Sequence, residues 1–189
     1  MGARFAADEL AFLALTPMIE VPIRDRLAYA LFQRLDPGLV VAREWRRIDL
    51  AVLDRGLVGS PRMLLEAKAL YTFDLVGAEA WVHRYPEKVA RDLAKLRELK
   101  TSAQLFGLVL ATHPRDRIAR ELRDVAKYSS GIAKAVGDLR EPAAVKQQAR
   151  LNIESFLQRL GEVHHGHIQA GRAGGVRVEV LYWLVALIS

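Results

Sequence analysis

The chain contains no cysteine. A disulfide scaffold, thiolate zinc and catalysis by a cysteine nucleophile are therefore excluded, and the composition agrees with a reducing, cytoplasmic setting. Nor is there an apolar run long enough to span a bilayer as a helix, because Val176 to Ile188 is short and broken by Arg177 and Glu179. The first residues lack a signal-peptide layout, since Arg4, Asp8 and Glu9 interrupt their apolar character. A soluble protein is the expectation. A nucleotide-type phosphate loop is missing too, as Gly171 to Gly175 has neither the lysine nor the following helix that such a loop requires. Without an internal repeat, a low-complexity segment or a separating linker, residues 1–189 read as one domain.

What is present suits an ordinary globular core: 189 residues, 51% hydrophobic and 26% charged. The formal charge of +6 favours an anionic partner such as nucleic acid, although small arginine-rich proteins share that balance.

Hydropathy patterning predicts a short helix over Ala6 to Leu15 and a second over Pro22 to Leu35, with Pro22 in its first turn and Asp36-Pro37-Gly38 ending it. Leu39 to Ala42, Ile48 to Leu53 and Met63 to Leu70 read as a meander of three strands. The charge-rich Arg43 to Arg47 either continues the first strand or makes a tight turn. Pro86 to Lys100 reads as a helix on Val89, Leu93 and Leu96, and Gln104 to Ala111 as a strand buried on both faces. A strand, a crossover helix and a further strand imply a right-handed parallel connection, hence a mixed sheet.

Beyond it, Arg115 to Tyr128 reads as an amphipathic helix with Arg120, Arg123 and Lys127 on one side, a solvated or phosphate-facing surface. Pro142 to Leu160 reads as another helix, with Val145, Ala149, Ile153, Phe156 and Leu160 in its stripe. Gly161 to Gly175 reads as a mobile, glycine-rich connection, and Val176 to Ile188 as a final long strand.

Within Arg47 to Lys68 the apolar strands carry charges where a buried strand should not. Asp49 interrupts one strand, and Glu66 and Lys68 interrupt the next. Residues two apart share a strand face, and an antiparallel return through Gly56 to Pro61 brings Asp49 beside them. Unpaired charges inside such strands are costly, which points to a site rather than to accident. Two carboxylates and a lysine there suggest a metal site with a catalytic amine. Asp54, at the strand end, ranks behind Asp49 for the acidic role.

This order of elements, with an acid on the second strand and Glu-x-Lys on the third, resembles the PD-(D/E)XK nuclease superfamily over roughly Glu20 to Ala111. The proline that nominally precedes the first acid is Ile48 here. The resemblance implies an α/β, restriction-endonuclease-like mixed β-sheet (three-strand meander, crossover helix, fourth strand) flanked by helices. It implies Mg2+, with Mn2+ as substitute, held by Asp49, Glu66 and the Ala67 carbonyl, and Glu20 as the acid often found at the first core helix. Lys68 would orient or help deprotonate the attacking water, or stabilise the developing anion. Lys88, Arg91 and Lys95, with Asp92, would lie on the helix closing the site, the cations contacting phosphate. The implied activity is phosphodiester hydrolysis, in DNA rather than RNA because most resembling families act there. The alternative is a catalytically inactive nuclease-fold module that binds nucleic acid or a protein partner. Many small members work as dimers, so a homodimer is a further expectation, although the apolar last strand could equally complete the sheet.

His164-His165-x-His167 lacks a carboxylate or cysteine at convincing metal spacing. His83 and His113 have no nucleophile motif around them. Trp45, Trp81 and Tyr85 suit packing better than base stacking.

Overall fold

A computed structural model describes residues 5–56, 60–76, 84–99, 101–116, 119–124, 126–127, 129–130 and 141–188. Trp81, His83, Tyr128 and Gly131 lie outside the described residues. The chain runs α1 (Glu9–Leu15), α2 (Glu20–Phe32), β1 (Leu39–Trp45), β2 (Ile48–Asp54), β3 (Pro61–Tyr71), a 3-10 turn at Thr72–Leu75, α3 (Arg84–Arg97), β4 (Gln104–Pro114), a 3-10 turn at Arg120–Leu122, α4 (Pro142–Leu157), β5 (Gly161–Ala173) and β6 (Val176–Leu187). The six strands form one mixed sheet in the order β1-β2-β3-β4-β6-β5. Only β3 and β4 pair in parallel. Their connection carries α3, the separation a parallel pair requires.

The helices cover the sheet from both sides, the layering that buries the two apolar faces of a central sheet. Leu10, Ala14 and Ile19 at the α1 side and Ala28 of α2 pack with Leu50, Leu65, Ala67 and Leu110. Val89 and Leu93 of α3 and the α4 row Val145, Ala149, Ile153 and Leu157 pack with Leu70, Val109, Ala111 and Trp183. In α4 the buried stripe closes on Leu157 rather than on Phe156 and Leu160, because i, i+4 steps from Val145 reach Leu157 as the helix ends. Gly107 of β4 is where α3 comes closest. A Cβ there would lie 2.6 Å from Leu93 Cδ1, so only a hydrogen leaves room for that buried leucine.

Two segments differ from expectation. Gly161 to Gly175 is not a mobile connection. It forms the edge strand β5 and, through Gly174 and Gly175 at φ 53° and 76°, a two-residue turn into β6 between the paired Ala173 and Val176. Both turn positions need positive φ, which glycine supplies without strain. The second is Arg115 to Tyr128, whose described residues do not form a regular helix. Among its described residues only Arg120–Leu122 makes a helical turn. The competing bonds are non-local: Arg115 N–H donates to Arg177 O at 2.9 Å, Asp116 is ion-paired with Arg177 at 2.6 Å, and Lys127 N–H donates to Leu15 O. These tie the segment to β6 and α1.

Among the described residues no helix is long and apolar enough to cross a membrane.

Candidate functional site

The site forms where β2 and β3 part. Their antiparallel ladder runs from Leu53 opposite Pro61 to Leu50 opposite Leu65, while β3 continues to Tyr71. Past Leu65 the β3 amides that would face β2 need other acceptors, since a buried N–H left unpaired is expensive. Side chains supply them. Ala67 N–H donates to Asp49 Oδ2 at 2.8 Å, and Ala69 N–H donates to Glu20 Oε2 at 3.0 Å. Two of the acids singled out in the sequence thus lie against the backbone of the strand that carries the third.

Glu66 and Lys68 stand in the β3 row between Leu64 and Leu70, both of which face the α3 layer. Lys68 Nζ donates to Glu66 Oε1 at 2.9 Å, and both side chains are about four-fifths buried, at 23% and 18% exposure. Glu20, the first residue of α2, reaches the sheet from that helix. Asp49, Glu20, Glu66 and Lys68 form one electrostatic group. Burial pushes the Glu66 carboxyl above its ordinary value, against the hydrogen bond and charge of Lys68 and with added repulsion from Asp49. Glu20 is raised in the same way, chiefly by burial, with Lys68 opposing and Asp49 adding. Burial works to lower the Lys68 pKa, but the hydrogen bond and charge of Glu66, with the charges of Glu20 and Asp49, outweigh it and hold the amine above its ordinary value. Lys68 is therefore a cation at neutral pH.

Sequence patterning gives Arg24 no role, although it lies against the carboxylates of Asp25, Glu44 and Asp49. It is buried, at 6% exposure. Its Nη1 donates to Glu44 Oε1 at 2.9 Å and lies 3.6 Å from Asp49 Oδ1, while Nε donates to Asp25 Oδ1 at 3.0 Å. The available signal is its place one helical turn after Glu20, on the same side of α2.

The remaining sequence candidates fall into place around this centre. Asp54 sits at the far end of β2, paired with Arg62 at 2.8 Å. Lys88 and Arg91 are exposed on α3, and Lys95 is exposed and paired with Asp92 at 2.8 Å. Lys95 and Asp92 line a groove of about 660 Å3 that also takes in Glu66, Leu96, Trp45, Arg46 and Arg47. The two arginines are the central residues of a two-residue turn between the paired Trp45 and Ile48, at φ 50° and 69°. This is the type I′ geometry, in which Asn-Gly is usual and each other side chain costs roughly 1–2 kcal/mol. Trp45 is half-buried with the Arg46 guanidinium over its ring at 4.7 Å, and Tyr85 packs against the α3–α4 core. His164 pairs with Glu162 at 3.3 Å and His165 with Glu154 at 3.4 Å on β5, away from the acids of β2 and β3. His113 is buried against Thr72 Oγ1 at 3.0 Å.

The donor set offered by Asp49, Glu66, Glu20 and the Ala67 carbonyl is all oxygen, which fits a hard divalent cation. Burial has raised two of these carboxylates, and a cation relieves such a cost. Among the described residues no three His, Asp or Glu side chains gather about one point. The carboxylates instead turn to Lys68, Ala67 N–H and Ala69 N–H.

Comparison of the chain with protein-family models, curated proteins and solved structures finds no match in any of the three.

Proposed function

We propose that this chain is a divalent-metal-dependent nuclease of the PD-(D/E)XK type that hydrolyses phosphodiester bonds in DNA. One observation carries the reading: where β2 and β3 separate, Asp49 and Glu20 accept backbone N–H groups of the strand that carries the Glu66–Lys68 ion pair, and Glu66 opens into a groove edged by Arg46, Arg47 and Lys95. A positive net charge and a basic rim suit a polyanion.

Asp49 and Glu66, with the Ala67 carbonyl and Glu20, would hold Mg2+ or Mn2+. When bound, that ion supplies charge neutralisation at the phosphoryl oxygens and a more acidic water. Lys68, protonated, donates hydrogen bonds: it orients the attacking water and offsets charge developing on the phosphate. It is a poor proton acceptor in this state. Ala67 and Ala69 fix the acids by backbone donation, so their positions do not depend on flexible partners.

The test is cleavage of supercoiled, linear and branched DNA in Mg2+ or Mn2+, beside Asp49→Ala and Lys68→Ala proteins. Metal-dependent cleavage lost in both variants is expected, and activity surviving both sinks the assignment. A second reading, an inactive module of the same fold that binds nucleic acid or a protein, is favoured by the Glu66–Lys68 ion pair, which satisfies both groups without a metal. Calorimetric titration separates the two, since the module predicts no Mg2+ or Mn2+ binding. A homodimer belongs to the same proposal, and light scattering of the purified protein checks it.

A further inference from the structure

The β1–β2 hairpin tip is built against local preference. Arg46 and Arg47 occupy the two left-handed positions of a type I′ turn, and Glu44 just before them is also left-handed, at φ 54°. Asparagine and glycine would fill the same turn without strain. Strain of this kind persists where the surrounding structure enforces it and the side chains are needed in place.

The charges support a use for it. Beside the turn, Arg24 is neutralised by Asp25 and Glu44, and Arg43 by Asp25. Arg46 and Arg47 are exposed and have no carboxylate partner among the described residues. Both line the groove that holds Glu66, and Lys95 lines it from α3. Arg46 also lies over the Trp45 ring, which limits the freedom of its guanidinium. Two cations without a carboxylate partner on this turn beside the acids can meet phosphates that the acids themselves would repel.

We propose that the Arg46–Arg47 turn is a phosphate clamp that holds the backbone of a DNA duplex across the groove, with a phosphate presented toward Glu66. The proposal rests on the nucleic-acid reading of the site and adds to it the element that grips the substrate. Grip and chemistry are assigned to separate residues, so they fail separately.

The experiment compares wild type with Arg46→Asn/Arg47→Gly. Binding of a short fluorescent duplex is followed by anisotropy in EDTA over a range of salt, and thermal unfolding is recorded for each protein. The double variant places the preferred Asn-Gly pair in the turn, so its Tm is expected to equal or exceed that of wild type. Its affinity is expected to fall about tenfold or more, and the slope of log K against log salt to shrink by roughly 2, as loss of two phosphate contacts requires. Unchanged affinity and slope in the double variant, or no duplex binding by wild type, overturns the clamp. Duplex binding by wild type that the double variant weakens, without cleavage by wild type in Mg2+ or Mn2+, supports the clamp while refuting the nuclease.

Discussion

Asp49 bridges two elements that the sheet leaves apart: its Oδ2 accepts the Ala67 N–H at 2.8 Å, and its Oδ1 lies 3.6 Å from Arg24 Nη1. A single carboxylate thus closes the end of the β2–β3 ladder and supplies charge to the site. The two roles separate by substitution. Asp49→Asn retains an oxygen for Ala67, so its stability is expected within about 1 kcal/mol of wild type, while cleavage falls by roughly two to four orders of magnitude. Asp49→Ala strands a buried N–H and should lose a further ~1–3 kcal/mol. Urea unfolding beside plasmid cleavage checks both, and equal stability of the two variants would refute the structural half.

Lys68 acts here as a fixed charge. Lys68→Arg is expected to retain part of the cleavage rate, whereas Lys68→Met falls by about a hundredfold or more. Lys68→Met also removes the hydrogen bond and charge that lower the Glu66 pKa, so Glu66 moves further upward. Single-turnover rates against pH read both effects. If Arg and Met are equally inactive, positive charge alone is not what the site draws from this position.

His113 sets an acid limit on the fold. Burial pushes its pKa down to about 4, with the nearby charges of Lys146 and Arg115 adding and that of Glu179 opposing. The unfolded chain therefore binds more protons than the folded one between pH 6.5 and about 4, and stability is lost as pH falls through that window. The loss is of the order of 3 kcal/mol. Glu20 and Glu66 act oppositely: their raised values make the folded state gain as pH falls toward the unfolded carboxylate range. Comparing wild type with His113→Gln isolates the histidine, and the variant should have the shallower acid loss in denaturant titrations from pH 7 to 4.

Gly107 sits opposite Glu66 in the parallel pairing of β3 and β4, beneath Leu93 of α3. Gly107→Ala is expected to lift α3 from the sheet at a cost of about 1–3 kcal/mol. Since α3 carries Asp92 and Lys95 into the groove, cleavage should fall with stability. Gly107→Ala/Leu93→Ala returns the space, and partial rescue of cleavage would locate the effect in that contact.

The acids of β2 and β3 were legible because charge inside an apolar strand is expensive and therefore informative, and alternation alone put Glu66 and Lys68 on one face. The parallel β3–β4 pairing followed from the intervening helix. Arg24 was not legible, because its partners Glu44 and Asp49 lie on other elements. β5 was obscured by glycine and histidine, which weaken strand propensity, while the pairing that stabilises it comes from the long apolar β6. Arg120, Arg123 and Lys127 keep helical spacing, yet the bonds of Arg115, Asp116 and Lys127 to distant backbone and side chains direct that segment instead.

The strand order also bears on how the molecule assembles. β6 follows β5 in the chain but lies between β4 and β5 in the sheet, with Phe106 paired to Ala186 and Pro114 to Val178. During synthesis, β1 to β4 emerge first, and the apolar edge of β4 stays bare until β6 follows. Such late, long-range pairing slows folding and leaves an edge open to other chains. The half of the sheet that holds the acids therefore waits on a strand made more than sixty residues later, and a nascent protein has its acidic centre encoded long before the sheet around it can close.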